Sequence, residues 1–295
     1  MTEGPLSRVA ILDLTDERGI YGAKLLADLG AKVYRPEPLT GDPLRMRGPF
    51  IQNKGQSKQS IWHAYFCSSR QSISLDLDSA MGIEQLELLL MKVDIVLTCS
   101  GAFGVDASKE ILSDKNKEDL IFVDTCSFRP GCEWEDYQAP DIVAAALGGQ
   151  LATTGDADTA PLKNFGELNF MVSGAYTAIS ALSALYNRRS TGSGQNAEVS
   201  VHECIASCLE HVFMFYWYGE AMERPEGKVL PRRGSLHWSN AYHVMNAKTG
   251  SIMITPTPDF DKQLTWMIEE NIHEDLIDPK YLEPENDRLR IEKTM

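Results

Sequence analysis

Residues 168–200, LNFMVSGAYTAISALSALYNRRSTGSGQNAEVS, read as a long helix, a tight turn at Thr191-Gly192-Ser193-Gly194-Gln195 and a strand. Apolar and small residues recur at helical spacing from Phe170 to Arg189, and Gly192 stands where a left-handed residue closes a helix. The run 196–201, with Val199 and Val201, is then a buried strand. A helix feeding directly into a strand points to an α/β chain, and the segments upstream repeat the pattern. Apolar strands are expected at 9–14, 31–34, 72–77, 94–98 and 120–126, with helices at 22–29 and 81–92 between them. Strands separated by helices imply a parallel sheet with right-handed crossovers. An Ala-rich helix is expected over 141–153, and an aromatic-rich helix follows the strand at 196–201 as far as Tyr218.

The composition shifts after Trp217. Residues 220–233, EAMERPEGKVLPRR, are charged, contain proline and read as linker. Beyond them, 242–255 reads as a hairpin turning at Ala247-Lys248-Thr249-Gly250, and 259–271 as a short helix. The last stretch, DPKYLEPENDRLRIEKTM, is polar and offers no closing apolar element. The expected organisation is a large domain over 1–219, a linker over 220–240 and part of a small α+β domain over 241–295.

Forty-two acidic residues against 28 Lys and Arg give a formal charge of −14, which excludes a nucleic-acid surface. An anionic ligand would need a local basic patch working against that field. No run approaches the roughly 18 apolar residues of a membrane span, and MTEGPLSRVAILDL lacks the organisation of a signal peptide. A cytoplasmic protein without membrane contact is expected. The six cysteines show no CxxC pair, and Cys204 and Cys208 have no further ligand at zinc spacing, so no metal is expected. The turn after the first strand, Thr15-Asp16-Glu17-Arg18-Gly19-Ile20-Tyr21-Gly22, lacks GxGxxG and carries two acids where a pyrophosphate would sit. Gly192-Ser193-Gly194 follows a helix and precedes a strand, the reverse of the dinucleotide context. Nicotinamide dinucleotides are therefore excluded.

Several short pieces occur in a recognisable order. Ile11-Leu12-Asp13-Leu14 is followed by Leu25-Leu26-Ala27-Asp28-Leu29-Gly30-Ala31, and Pro36-Glu37-Pro38 by Gly41-Asp42-Pro43-Leu44-Arg45. Arg70 precedes Ser72-Ile73-Ser74-Leu75-Asp76-Leu77, and Ala139-Pro140-Asp141-Ile142-Val143 precedes Gly148-Gly149 and Thr153-Thr154-Gly155. Last come Gly174, Ala184-Leu185, Arg188 and the TGSGQ turn. In that order they resemble the family III CoA-transferases, the carnitine and bile-acid CoA-transferase group, which includes acyl-CoA racemases. The resemblance implies a Rossmann-like large domain, a small domain and an interlocked dimer, with CoA or an acyl-CoA as ligand and no tightly bound cofactor. It implies a homodimer, or a heterodimer with another CoA-transferase chain. By the same resemblance the chain enters the small domain and stops at Met295 without the segment that returns.

In the family an aspartate four residues before the helix glycine attacks the acyl-CoA thioester, or in the racemase branch moves a proton. Counting back from Gly174 places Phe170 at that position. Phenylalanine can neither attack a thioester nor accept a proton. The nearest carboxylate is Glu167, one turn earlier, and Asn169 is not nucleophilic. Three further stretches depart from the family's loops: Cys99-Ser100-Gly101-Ala102-Phe103-Gly104, Ser127-Phe128-Arg129, and Arg232-Arg233-Gly234-Ser235-Leu236-His237-Trp238. The basic residues left to meet CoA phosphates are Arg35, Arg45, Arg47 and Arg70, with Ser69 beside the last. His202 and His211 are expected at the edge of the core, and Phe213, Tyr216, Trp217 and Tyr218 in packing or a subunit interface. The expected function is a non-catalytic subunit or paralogue that pairs with an active chain. The alternative is an active CoA-transferase or racemase using a displaced carboxylate such as Glu167.

Overall fold

A computed structural model describes residues 4–52, 58–115, 117–155, 158–218, 232, 243–254, 260–273 and 275–283. The chain divides into two compact units, Met1–Gly148 with Asn164–Leu209, and Gly149–Lys163 with Glu210–Met295.

The first unit opens with β1 (Ala10–Leu14), α1 (Ile20–Asp28), β2 (Lys32–Glu37) and a 3-10 turn at Pro43–Met46. A short hairpin, β3 (Phe50–Ile51) and β4 (Gln59–Ser60), leads into α2 (Ile61–Phe66) and β5 (Arg70–Ser74). Then follow α3 (Ala80–Lys92), β6 (Ile95–Thr98), α4 (Val105–Asp114), β7 (Ile121–Cys126) and α5 (Asp141–Leu147). After α6 (Gln150–Thr153), in the second unit, the chain returns through α7 (Leu168–Thr191), β8 (Asn196–Ser200) and α8 (Val201–Ser207). Six strands form one sheet in the order β5-β2-β1-β6-β7-β8, and every neighbouring pair is parallel. The strand order reverses between β1 and β6, and in such sheets ligands bind outside the carboxyl ends at that point.

Both faces of the sheet are covered, which is why its central strands are apolar without alternation. Ile11, Val33, Leu97, Val123 and Val199 pack under α1 and α7, together with Leu26, Ala181 and Ala184. On the opposite face Leu12, Leu14 and Val96 meet Leu86 and Leu90 of α3 and Val105 of α4. Full burial of each such side chain contributes about 1.5–3 kcal/mol.

The helix α7 crosses α1 at a glycine pair. A Cβ on Gly174 would lie 2.8 Å from the Gly22 nitrogen, and one on Gly22 would lie 2.4 Å from the Gly174 carbonyl oxygen. Only backbone fits between the helices here, which is the physical reason for Gly174 in the middle of a helix. Gly192, at φ +77°, closes α7 as expected. One expectation needs correction: α7 has 24 residues and an 18-residue window of mean hydropathy 1.3, long and apolar enough to cross a membrane. Half of that window is buried within the protein, because α7 is the central helix over the sheet.

Two expected helices are interrupted. The Ala-rich run breaks at Gly148-Gly149, where Gly149 takes φ +86°, so α5 and α6 fall in different units. The aromatic run splits into α8 and α9 (Glu210–Tyr218), and α9 belongs to the second unit. In that unit β9 (His243–Asn246) and β10 (Ser251–Ile254) form the expected antiparallel hairpin, and α10 (Phe260–Glu269) follows. The closing stretch is less polar in effect than its composition suggests: Tyr281 is buried against Met267 and Leu276. The linker expected at 220–240, apart from Arg232, and residues 284–295 lie outside the described residues.

Candidate functional site

The carboxyl end of β1 carries Asp13, a fully buried carboxylate. Thr15 donates to its Oδ1 from the backbone N–H (3.1 Å) and from Oγ1 (2.6 Å), and Arg35 Nη1 reaches Oδ2 at 3.0 Å. Arg70 pairs with the same Oδ2 and donates to the carbonyls of Ile20 (2.6 Å) and Phe66 (2.5 Å). Burial works against the charge on Asp13, but Arg70 and Arg35, with Thr15, outweigh it and hold the carboxyl below its ordinary value. Arg35 continues to Asp42, with Nε 2.6 Å from Oδ2.

The Gly-Asp-Pro turn after β2 is closed by a second layer of the same network. Asp42 Oδ1 accepts from the Leu44 N–H at 2.9 Å, and Glu37 accepts from the Asp42 N–H and from Arg45. Burial would raise the Glu37 carboxyl, but hydrogen bonds from Arg45, Ser72 and the Asp42 N–H lower it to about 2. Three of the candidate phosphate ligands, Arg35, Arg45 and Arg70, are thus gathered at the carboxyl edge. Each is already paired with a carboxylate of this chain. Ser69, beside Arg70, is exposed and in the left-handed region at φ +62°.

A cavity of about 220 Å³ opens at the switch point, lined by Asp13, Thr15, Asp16, Glu17 and Arg35 on one side and by Gly101, Ala102 and Phe103 on the other. Asp16 is neutralised by Arg18, whose Nη2 also reaches the Ser100 carbonyl at 2.7 Å. That contact ties the first loop to the loop after β6. Near it, Asp42, His63 and Cys67 bring three donor atoms within 4.8 Å of one another. The set does not suit a cation: Asp42 is paired with Arg35, Arg45 stands beside His63, and burial pushes the Cys67 thiol up to about 11.

The start of α7 lies against this loop, since Ser173 Oγ donates to the Arg18 carbonyl at 2.7 Å. Phe170 is buried in a separate apolar cluster with Phe128, Ala139, Ala144, Val201 and Ile205. Its N–H and that of Asn169 donate to Asp141 Oδ1 at 3.2 and 3.1 Å, and Asn169 Nδ2 donates to Oδ2 at 3.0 Å. Asp141 is therefore the cap of α7, supplied from 28 residues upstream. Reading Pro140-Asp141 only as a helix start missed that second role, and no local signal carries it. Glu167, the residue before α7, makes no side-chain cap and instead pairs with Arg47. The Arg47 guanidinium lies over the Trp62 ring, 4.7 Å from its centroid. His202 is half-buried with its ring 5.7 Å from Phe128 and 5.8 Å from Trp134. The side chain of His211, and the loop 233–238, lie outside the described residues.

A profile of CoA-transferase family III matches residues 6–290. The chain belongs to that family. The CoA-transferase family III relatives include the succinyl-CoA:(R)-benzylsuccinate CoA-transferase subunit BbsE of Thauera aromatica, 29% identical over 80% of this chain and 57% of that protein. The succinyl-CoA:mesaconate CoA-transferase of Haloarcula hispanica is 29% identical over 75% of this chain and 58% of its own length. The chain thus spans a little over half the length of these curated relatives. Among solved structures, a CaiB/BaiF family protein from Brucella suis aligns over 99% of this chain and 79% of its own, with a TM-score of 0.79 and 23% identity. That likeness supports the fold, the mixed α/β architecture with a large parallel sheet.

Proposed function

We propose that this chain is a non-catalytic, cytoplasmic subunit or paralogue that pairs with an active family III CoA-transferase chain and contributes structure or part of a CoA site. The observation that carries the reading is Phe170. The turn of α7 from which family members present an attacking carboxylate here presents an aromatic ring buried among Phe128, Ala144 and Ile205. The neighbouring acids have other work. Asp141 is buried and caps α7, and Glu167 is paired with Arg47. The name of the Thauera relative, a subunit, is consistent with pairing. The ligand under this reading is CoA or an acyl-CoA, met by Arg35, Arg45, Arg47, Arg70 and Ser69, with no metal. Arg45 and Arg47 are the more exposed of the four guanidiniums.

Incubating the purified chain with succinyl-CoA and hydroxylamine tests the proposal. An acyl-enzyme anhydride or enzyme–CoA thioester would be trapped as a protein hydroxamate. No hydroxamate is expected on this chain, and one should appear on an aspartate-bearing partner purified with it. A hydroxamate mapped by peptide mass spectrometry to Glu167 would overturn the non-catalytic reading in favour of a displaced nucleophile.

A further inference from the structure

The four candidate arginines are not equivalent. Arg35 and Arg70 are 8% and 2% exposed and anchored to Asp13, whereas Arg47 is 31% exposed and pairs with Glu167. Its Nη2 meets Glu167, but its buried Nη1 has no hydrogen-bond partner among the described residues. Glu17 Oε1 lies 3.8 Å from Nη1, beyond hydrogen-bond range. The Trp62 ring lies 4.7 Å from the guanidinium and takes up none of its N–H groups, so release of Glu167 would open the fork to a planar oxyanion.

Glu167 is not the side-chain cap of the helix it precedes. That task is performed by Asp141. What its carboxylate does is fill the guanidinium. A half-exposed pair of this kind is held weakly enough to exchange. We propose that Arg47 is the receptor for the oxyanion of the incoming ligand, a carboxylate or a phosphate group, and that Glu167 is a built-in occupant which the ligand displaces. The proposal deepens the reading above, because it presumes that an acyl-CoA or its acid binds at this edge.

The two partners predict opposite outcomes, which a merely structural ion pair does not. Calorimetry on the full chain with succinate, and separately with free CoA, separates the carboxylate from the phosphate source. With Glu167→Gln the responsive probe is expected to bind about tenfold more tightly than to the parent chain, since a competing internal anion has been removed. With Arg47→Gln binding should be lost, and Arg47→Lys, which keeps the charge but not the fork, should bind about tenfold more weakly. The lysine variant serves if the glutamine variant fails to fold. Tightening towards succinate alone assigns a carboxylate, and tightening towards CoA alone assigns a phosphate. Unchanged or weakened binding by Glu167→Gln, retained binding by Arg47→Gln, or no heat from either probe with Glu167→Gln at millimolar concentration each overturns the proposal. Binding of CoA that ignores both substitutions leaves the family reading standing and removes only this one.

Discussion

The first loop and the start of α7 touch through Ser173 and the Arg18 carbonyl, yet they are built from opposite materials. Around the loop, Asp13, Asp42 and Glu37 are matched by Arg35, Arg70 and Arg45, and the charges are spent on holding backbone turns together. At the helix start Phe170 is packed among apolar groups, with the buried Asn169 and Asp141 hydrogen-bonded beside it. A charged cluster at the mouth of an α/β sheet invites a functional reading, and an apolar one a structural reading. Here the buried charges are paired with one another, and the side carrying Phe170 is where a function of the family would have been expected. Burial of a charge by itself does not mark chemistry; a buried donor or acceptor left without a partner is a better sign, and Arg47 carries one at Nη1, as do Arg70 at Nε and Asn169 at Oδ1.

That contrast can be broken most directly at Asp13. Asp13→Ala removes one carboxylate, which leaves the buried Arg70 guanidinium without an acid partner among the described residues and Arg35 with Asp42 alone, and loss of a partner in such a pair costs about 3–5 kcal/mol. Urea unfolding should show a loss at the upper end of that range, and one below about 1 kcal/mol would mean that Arg35 and Arg70 are neutralised by other groups. Next in size is Phe170→Ala, which removes a ring from the apolar cluster and should cost about 3 kcal/mol by the same measurement. A neutral result would show that the ring is not a packing element and reopen the position to another role.

The acid response sharpens the comparison from the charged side alone. Glu37 titrates near 2 in the folded chain against an ordinary 4.5, so the folded state binds its proton less readily than the unfolded chain does. Its contribution is therefore complete above about pH 4.5 and is lost as the pH falls through about 2. Unfolding free energy followed from pH 5 to pH 2 should fall less steeply in Glu37→Gln than in the parent. Equal slopes would assign acid sensitivity to other carboxylates.

The approximate positions of the six strands of the main sheet, the closing glycine of α7 and the hairpin after the linker are legible in the sequence because each is fixed by a local rule: an apolar run, a left-handed residue, a four-residue turn; the β3–β4 hairpin is not. The short helix α2 and the helix α4 were not anticipated, since the six residues of α2 and the polar face of α4 give little periodicity to read. The candidate arginines were found by elimination, but their partners were not. Arg70 and Asp13 are 57 residues apart, and Arg47 and Glu167 are 120 apart. No spacing in the chain records such a pairing; only the strand order brings the two ends to one edge. The same holds for Asp141 at the start of α7, where a residue that looks like an ordinary helix beginning serves a different helix.

The glycine pair between α1 and α7 has a mechanical consequence. With Gly22 and Gly174 in backbone contact there is no side-chain layer at their crossing to shear or compress. The loop that precedes α1 and the turn that opens α7 are therefore joined where neither helix can move closer to the other.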